Sequence, residues 1–378
     1  MQHSLKTAYL LLEDGTRLTG RFFGVEKPVL GELVFNTGMT GYQEILTDPS
    51  YAGQVVVMTY PLVGNYGLND VDVESDRVQV SAFIVKEQAD FASNWRAQQS
   101  LDAYLKAHGV VGVSNLDTRM LTQQIRGHDG LKCLISPDPI TDTLAEELLQ
   151  RYQTPSNLVA LVSRQEVSCY AAGDGPDALH FAVVDLGVKT GILKNLTDRG
   201  CNVTVFPWNA GADDILSCRP DAVLLSNGPG NPKDAVASIE TARQLMGRLP
   251  LYGICLGSQI LALALGADTY KLRFGHRGSN HPVQDLQTGK VMMTSQNHGY
   301  AVEADNLPDG VRVTHINVND GTVEGLACPS QKVFSVQFHP EAGPGPRDAH
   351  GLFDDWIAQV RPGRLSSYVA KSRIASHV

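Results

Sequence analysis

Cys255 stands in Gly253-Ile254-Cys255-Leu256-Gly257-Ser258-Gln259, directly after an apolar run that begins at Leu249 and directly before the helix-like residues 260–265. A side chain at the tip of a strand, turn, helix unit projects above its sheet. Glycines two residues to either side then let neighbouring backbone pass where a Cβ would collide. The thiol also falls at a helix N-terminus, where the dipole and unpaired N–H groups favour the nucleophilic thiolate. The plainer alternative is a buried small hydrophobe, the ordinary state of a cysteine in an apolar run. The other five cysteines, at 133, 169, 201, 218 and 328, are scattered, with no Cys-x-x-Cys pair and no histidine at zinc spacing.

A thiolate nucleophile requires a group that passes protons to the leaving group, and that group requires an orienting carboxylate. His339-Pro340-Glu341 offers both at the end of the apolar stretch 333–338. Residues i and i+2 of extended backbone point the same way, and Pro340 keeps His339 extended. The rival among the eleven histidines is His298, in Gln296-Asn297-His298-Gly299-Tyr300, which has no acid beside it in the sequence. A second glycine loop, Ser226-Asn227-Gly228-Pro229-Gly230-Asn231-Pro232, follows the apolar residues 221–225. It reads as a plain tight turn, or as a loop whose Gly228 N–H joins that of Leu256 to bind the oxyanion of a tetrahedral intermediate. No Gly-x-x-x-x-Gly-Lys-Ser/Thr sequence occurs, so a P-loop nucleotide site has no support.

These groups need a scaffold. Beyond His180, short apolar runs at 181–186, 201–207, 221–226 and 249–255 alternate with helical stretches at 189–199, 212–218 and 236–247. That alternation predicts parallel strands buried on both faces and joined by crossover helices: an α/β fold with a doubly wound, mostly parallel sheet. Ligands of such sheets bind at the carboxyl ends of the strands, where both glycine loops fall. Residues 291–295, 311–317 and 333–338 break the alternation and are expected as antiparallel additions. Upstream, residues 8–12 and 16–23 flank Asp14-Gly15, a hairpin signal, while 101–108 and 118–126 have helical periodicity. A separate, mixed α and β N-terminal domain follows. Residues 168–177 lose periodicity and collect Gly, Asp and Pro, which places the junction there. The expected layout is a domain at 1–150, a linker at 151–179 and a second domain at 180–378.

Bulk properties agree with two domains, because 378 residues exceed what one core usually holds. A hydrophobic share of 43% and a charged share of 19% describe an ordinary globular chain. The net charge of -9, without clustered Lys and Arg, argues against nucleic acid or an anionic membrane as partner. Scattered cysteines suit a reducing compartment. The first seven residues lack the pattern of a secretory leader, and no apolar stretch reaches the ~18 residues of a membrane span, so a cytoplasmic protein is expected.

In their chain order, the Asn227-Gly228-Pro229-Gly230 loop, the Cys255 turn and His339-Pro340-Glu341 resemble the class I (triad) glutamine amidotransferase family. Residues 32–51, with Tyr60-Pro61, Gly64-Asn65-Tyr66-Gly67 and Asp117-Thr118-Arg119, are similar to the N-terminal domain of carbamoyl-phosphate synthase small subunits, and the likeness covers nearly the whole chain. The resemblance implies a flavodoxin-like sheet, with Cys255 as nucleophile, His339 as acid and base, and Glu341 as its partner. It implies glutamine contacts at Ser50, Gly228, Gly230, Leu256, Gln259, Asn297, Gly299 and Tyr300, with no metal and no cofactor on this chain. It further implies a large-subunit partner that uses ATP, Mg and bicarbonate, an internal route for ammonia, and a heterodimer that assembles into higher oligomers. The product would feed arginine or pyrimidine biosynthesis. Three positions depart from the family pattern: Ser258 where histidine is usual, Asn231 where aspartate is common, and Gly191 where asparagine or serine is common. A stand-alone cysteine hydrolase and a non-catalytic binding subunit are the competing readings. The long N-terminal domain argues against the first, and the presence of all three triad residues against the second.

Overall fold

The computed structural model describes residues 6–172 and 178–361. The start of the N-terminal heptapeptide, residues 173–177 of the expected linker and residues 362–378 lie outside the described residues. Backbone contacts divide the chain into two units, one of Met1–Leu158 with Leu272–Gly278 and one of Val159–Lys271 with Ser279–Val378.

In the first unit seven strands close into a barrel in the order Thr7–Leu12, Arg17–Gly24, Val111–Ser114, Ala82–Ile84, Gln54–Met58, Val29–Asn36 and Lys132–Ser136. Asp14-Gly15 does turn the first hairpin: Gly15 adopts φ 87°, and the Leu12 N–H donates to Thr16 O at 2.9 Å. Alternation along the strands gathers Leu10, Leu33, Val55, Ile84, Val113 and Ile135 into one core. The other strand face, with Val34, Val56 and Phe83, packs on Tyr42, Ile45 and Leu105. The helix Thr118–Gly127 starts where the Asp117 carboxylate accepts the Met120 N–H at 2.9 Å, a side-chain N-cap.

The second unit is built on a sheet ordered Ser168–Tyr170, Asn202–Pro207, His180–Asp185, Ala222–Leu225, Leu251–Ile254, Val333–Val336, Val323–Cys328, Arg312–Asn317, Thr269–Asp285 and Val291–Val302. The run from Asn202–Pro207 to Val333–Val336 is parallel throughout. Its strands are apolar on both sides because helices cover both. Phe181, Val183, Val203 and Val205 pack against Ile192 and Leu196 of helix Thr190–Thr197 and against Phe353 and Trp356 of helix Gly351–Val360. Ala182, Val184 and Phe206 meet Ile215, Ile239, Ala242, Ile260 and Leu261 from helices Ala212–Ser217, Val236–Leu245 and Leu256–Leu265. Each such fully buried aliphatic or aromatic side chain contributes about 1.5–3 kcal/mol.

Two expectations are corrected. Val333–Val336 is not an antiparallel addition on both sides; it runs parallel to Leu251–Ile254 and antiparallel to Val323–Cys328. The excursion between these two parallel neighbours holds helix Leu256–Leu265 and then four strands, so Val333–Val336 is preceded by strands instead of a helix and the local helix-strand alternation that marks a parallel strand is missing just before it. Ser168–Tyr170, read as loop, forms an edge strand paired antiparallel with Asn202–Pro207. An edge strand has one solvent side and needs no apolar run. Among the described residues no helix is long and apolar enough to cross a membrane.

Candidate active site

Strand Leu251–Ile254 ends at Cys255, which is the N-cap of helix Leu256–Leu265 and adopts φ 53°, ψ -106°. A positive φ on a residue with a Cβ is strained, and here it is held by neighbours: the Cys255 N–H donates to Val336 O at 2.9 Å and the Gly257 N–H to Ser226 O at 3.0 Å. The glycines are required by contact. A Cβ on Gly257 would lie 2.1 Å from Leu225 O, and one on Gly228 would lie 2.1 Å from Leu186 O and 2.9 Å from Leu256 Cδ2. The two glycine loops therefore touch. Among the described residues, neither the Gly228 nor the Leu256 N–H enters a backbone hydrogen bond.

His339 follows the strand Val333–Val336 and is buried. Its N–H donates to Ser295 O at 2.9 Å, and its Nδ1 lies 2.6 Å from Glu341 Oε1. Because a carboxylate only accepts, Nδ1 carries the proton, which directs Nε2 to other work. Nε2 has no hydrogen bond of ordinary geometry, yet Cys255 is near enough to shift the ring's proton affinity. Burial, the largest influence, pulls the His339 pKa down. The Glu341 carboxylate and the Cys255 sulfur together outweigh it and hold the ring well above the ordinary imidazole range. Glu341 is the mirror case: burial pushes its pKa up, while Lys189 and then His339 bring it well below the usual carboxylate range.

Lys189 is the residue that sequence reasoning missed. Its Nζ donates to Glu341 Oε1 at 3.1 Å and to Ala342 O, and both members of the ion pair are buried. The Asp185 carboxylate accepts the N–H groups of Gly187 and Val188 at 2.9 and 2.8 Å, shaping the turn that carries it. The Lys189 N–H donates to Asn227 Oδ1 at 3.1 Å, which ties this turn to the Gly228 loop. A signal existed. Lys189 is the N-cap of helix Thr190–Thr197, the end where the dipole disfavours a cation, and it follows an apolar strand. A lysine so placed needs an acid.

Of the expected glutamine-contact residues in the second unit, Asn297 meets the thiol directly and Gln259 and Tyr300 are joined by a hydrogen bond one helical turn from it. The Cys255 Sγ–H faces Asn297 O at 3.6 Å. Gln259 lies one helical turn from Cys255, and its Nε2 donates to Tyr300 O at 2.8 Å and to Gln337 Oε1 at 2.9 Å. Asn297, Gly299 and Tyr300 share strand Val291–Val302, and Gly230 takes φ 87° in the other loop. Ser50 belongs to the first unit, in the 3-10 turn Pro49–Tyr51, where its N–H donates to Asp48 Oδ1 at 2.9 Å. His298 does have an acid near it in space, Glu324 Oε1 at 3.8 Å, along with Tyr300 O at 2.8 Å from Nδ1, so its ring serves the strand behind the thiol. Ser258 is buried and donates to Ser335 Oγ at 2.8 Å.

A strained cysteine at a strand-helix turn, with a histidine and carboxylate on a neighbouring strand end, places the second unit among class I glutamine amidotransferases, whose family model matches residues 182–359. The model for the carbamoyl-phosphate synthase small chain, CPSase domain, matches residues 10–135. The small chain of carbamoyl phosphate synthase from Bacillus caldolyticus is 52% identical over 354 residues, 93% of this chain and 96% of the relative. That of Listeria monocytogenes is 51% identical over 93% of this chain and 96% of its own length. A pyrimidine-specific small chain from Halalkalibacterium halodurans is 50% identical, covering 92% of this chain and 95% of the relative. The chain belongs to the carbamoyl phosphate synthase small chain family.

Proposed function

We propose that this chain is the glutaminase subunit of a carbamoyl phosphate synthase and that Cys255 is its nucleophile. The observation that carries the reading is the line of buried groups from Lys189 through Glu341 to His339, ending beside the strained Cys255. The Cys255 sulfur attacks the side-chain carbonyl carbon of glutamine. The Gly228 and Leu256 N–H groups receive the oxyanion. His339 then gives a proton to the leaving nitrogen, so ammonia departs and a glutamyl thioester remains. Water, deprotonated by His339, attacks the thioester and releases glutamate and the thiol. The sum is glutamine and water to glutamate and ammonia.

Glutamine is held by Gln259, Asn297, Gly299, Tyr300, Gly230 and the two oxyanion residues. Ammonia passes to a large subunit that supplies the ATP, Mg and bicarbonate chemistry, in a cytoplasmic heterodimer that assembles further; this chain needs no cofactor of its own. We class the second unit as a flavodoxin-like, doubly wound sheet, a reading supported by its parallel run with helices on both faces, and assign residues 1–150 to the small-subunit domain and 180–378 to the amidotransferase domain.

Cys255→Ser tests the reading in the complex with the large subunit. Glutamine-dependent synthesis should vanish while ammonia-dependent synthesis persists, because only the nucleophile has changed. Loss of both activities together, or survival of both, would contradict it.

A further inference from the structure

Gln337 sits two residues before His339, at the end of the last parallel strand, and is 1% exposed. Its Oε1 accepts from Gln259 Nε2 at 2.9 Å, and its own N–H donates to Glu324 O at 2.9 Å. Its Nε2, a sealed amide donor, has no hydrogen-bond partner. An unmet buried donor costs about 1–3 kcal/mol, and turning the amide over is no remedy, since it would set the NH2 of Gln337 against that of Gln259. The orientation of Gln259 is not in question: Tyr300 O is a carbonyl that only accepts, so the edge of Gln259 facing it at 2.8 Å is the NH2. Both hydrogens of Gln259 Nε2 are thereby used, one by Tyr300 O and one by Gln337 Oε1. Its Oε1 accepts no hydrogen bond among the described residues, which leaves an acceptor one helical turn from the Cys255 thiol.

We propose that Gln337 is a positioning residue that acts through Gln259. It takes the second amide hydrogen and locks the Gln259 carboxamide with its oxygen turned to the substrate, where it accepts from an N–H of bound glutamine. The unmet donor on Gln337 is then the cost of that lock, since the only end of Gln337 that serves Gln259 is its oxygen. This inference rests on the proposed glutaminase reading.

A double-mutant cycle on the full-length chain in its complex, read as the KM and kcat of glutamine hydrolysis, tests it. In Gln337→Met the acceptor is gone, and the KM for glutamine should rise up to about tenfold, the worth of one neutral hydrogen bond, with kcat within about threefold. In a Gln259→Met background the same change should leave KM unaltered within about twofold. Gln337→Glu, which keeps an oxygen at the same place, should bring KM back to within about threefold of the wild type. KM is a property of the folded molecules alone, so partial unfolding does not imitate the effect. An additive cycle, an unchanged KM in Gln337→Met, or a Gln337→Glu enzyme as impaired as Gln337→Met overturns the proposal while leaving Cys255-dependent hydrolysis intact. Hydrolysis that survives Cys255→Ser instead overturns the glutaminase reading, and this inference with it.

Discussion

Lys189→Met should be among the most damaging single changes in the second unit, because it strands a charge rather than trimming a contact. Methionine keeps the length and apolar body of the side chain and removes only the cation 3.1 Å from Glu341 Oε1. At that separation, with an effective dielectric near 20, the attraction is about 5 kcal/mol. The lysine's own burial offsets part of it. Removing one partner of a buried pair costs about 3–5 kcal/mol because the other charge stays behind. For a unit of this size that lowers Tm by ~6–20 °C. The pH dependence identifies the cause. Glu341 has a folded pKa below its unfolded one, so its contribution is in place above the ordinary value of about 4.3 and is lost as pH falls toward the depressed folded value. Without Lys189 the folded pKa rises, less stability remains to be lost, and the acid limb of the stability curve flattens. Urea unfolding at a series of pH values below neutrality measures both quantities. Lys189→Met/Glu341→Gln should recover at least about 1 kcal/mol over Lys189→Met, since the buried carboxylate that lost its lysine is gone as well and His339 can shed its proton. A loss under about 1 kcal/mol with an unchanged acid limb would refute the view that Lys189 holds Glu341 ionised.

His339→Asn should lower kcat for glutamine hydrolysis by about 100-fold or more, and by more than Glu341→Gln, because the ring moves the proton while the carboxylate orients the ring; equal losses would reverse the assignment. Gly257→Ala places a Cβ 2.1 Å from Leu225 O, so it should cost about 3 kcal/mol and displace the Cys255 turn, read as lowered Tm together with lowered kcat. Ser258→His breaks the 2.8 Å bond to Ser335 and adds volume to a sealed position, which should lower stability by ~1–3 kcal/mol in thermal melts. A neutral result there would mean that the helix has slack that its packing does not reveal.

What the sequence disclosed about the site was whatever lay on a single short stretch of backbone. The Cys255 turn, the Gly228 loop and the His339-Pro340-Glu341 end could each be read because strand, turn and helix propensities at those places fix where a side chain points, and parallel strands bring their carboxyl ends to one edge. The parallel run from His180–Asp185 to Leu251–Ile254 was legible for the same reason, since two covered faces leave a nearly continuous apolar signature. The barrel closure of the first unit was not. Closure depends on which distant strands pair, as Thr7–Leu12 does with Lys132–Ser136, and no local pattern encodes a partner more than a hundred residues away.

Lys189 shows why the remaining part of the site was hidden. Read locally, it is one lysine among thirty-one basic residues, and the default state of a lysine is exposed. Its meaning comes from Glu341, 152 positions later, and from the burial of both. Burial is what changes the chemistry: on the surface such a pair would be worth less than about 1 kcal/mol, whereas in the interior it fixes the protonation state of the carboxylate that orients His339. The same holds for Gln337, whose unmet donor is unremarkable in sequence and costly only once the strand seals it. Motifs thus revealed the proposed nucleophile, its histidine and the carboxylate beside that histidine, while Lys189 and Gln337 emerged only from the packing of strand ends against one another. The substitutions that separate the two classes are Cys255→Ser, which removes chemistry and leaves stability, and Lys189→Met, which disturbs both.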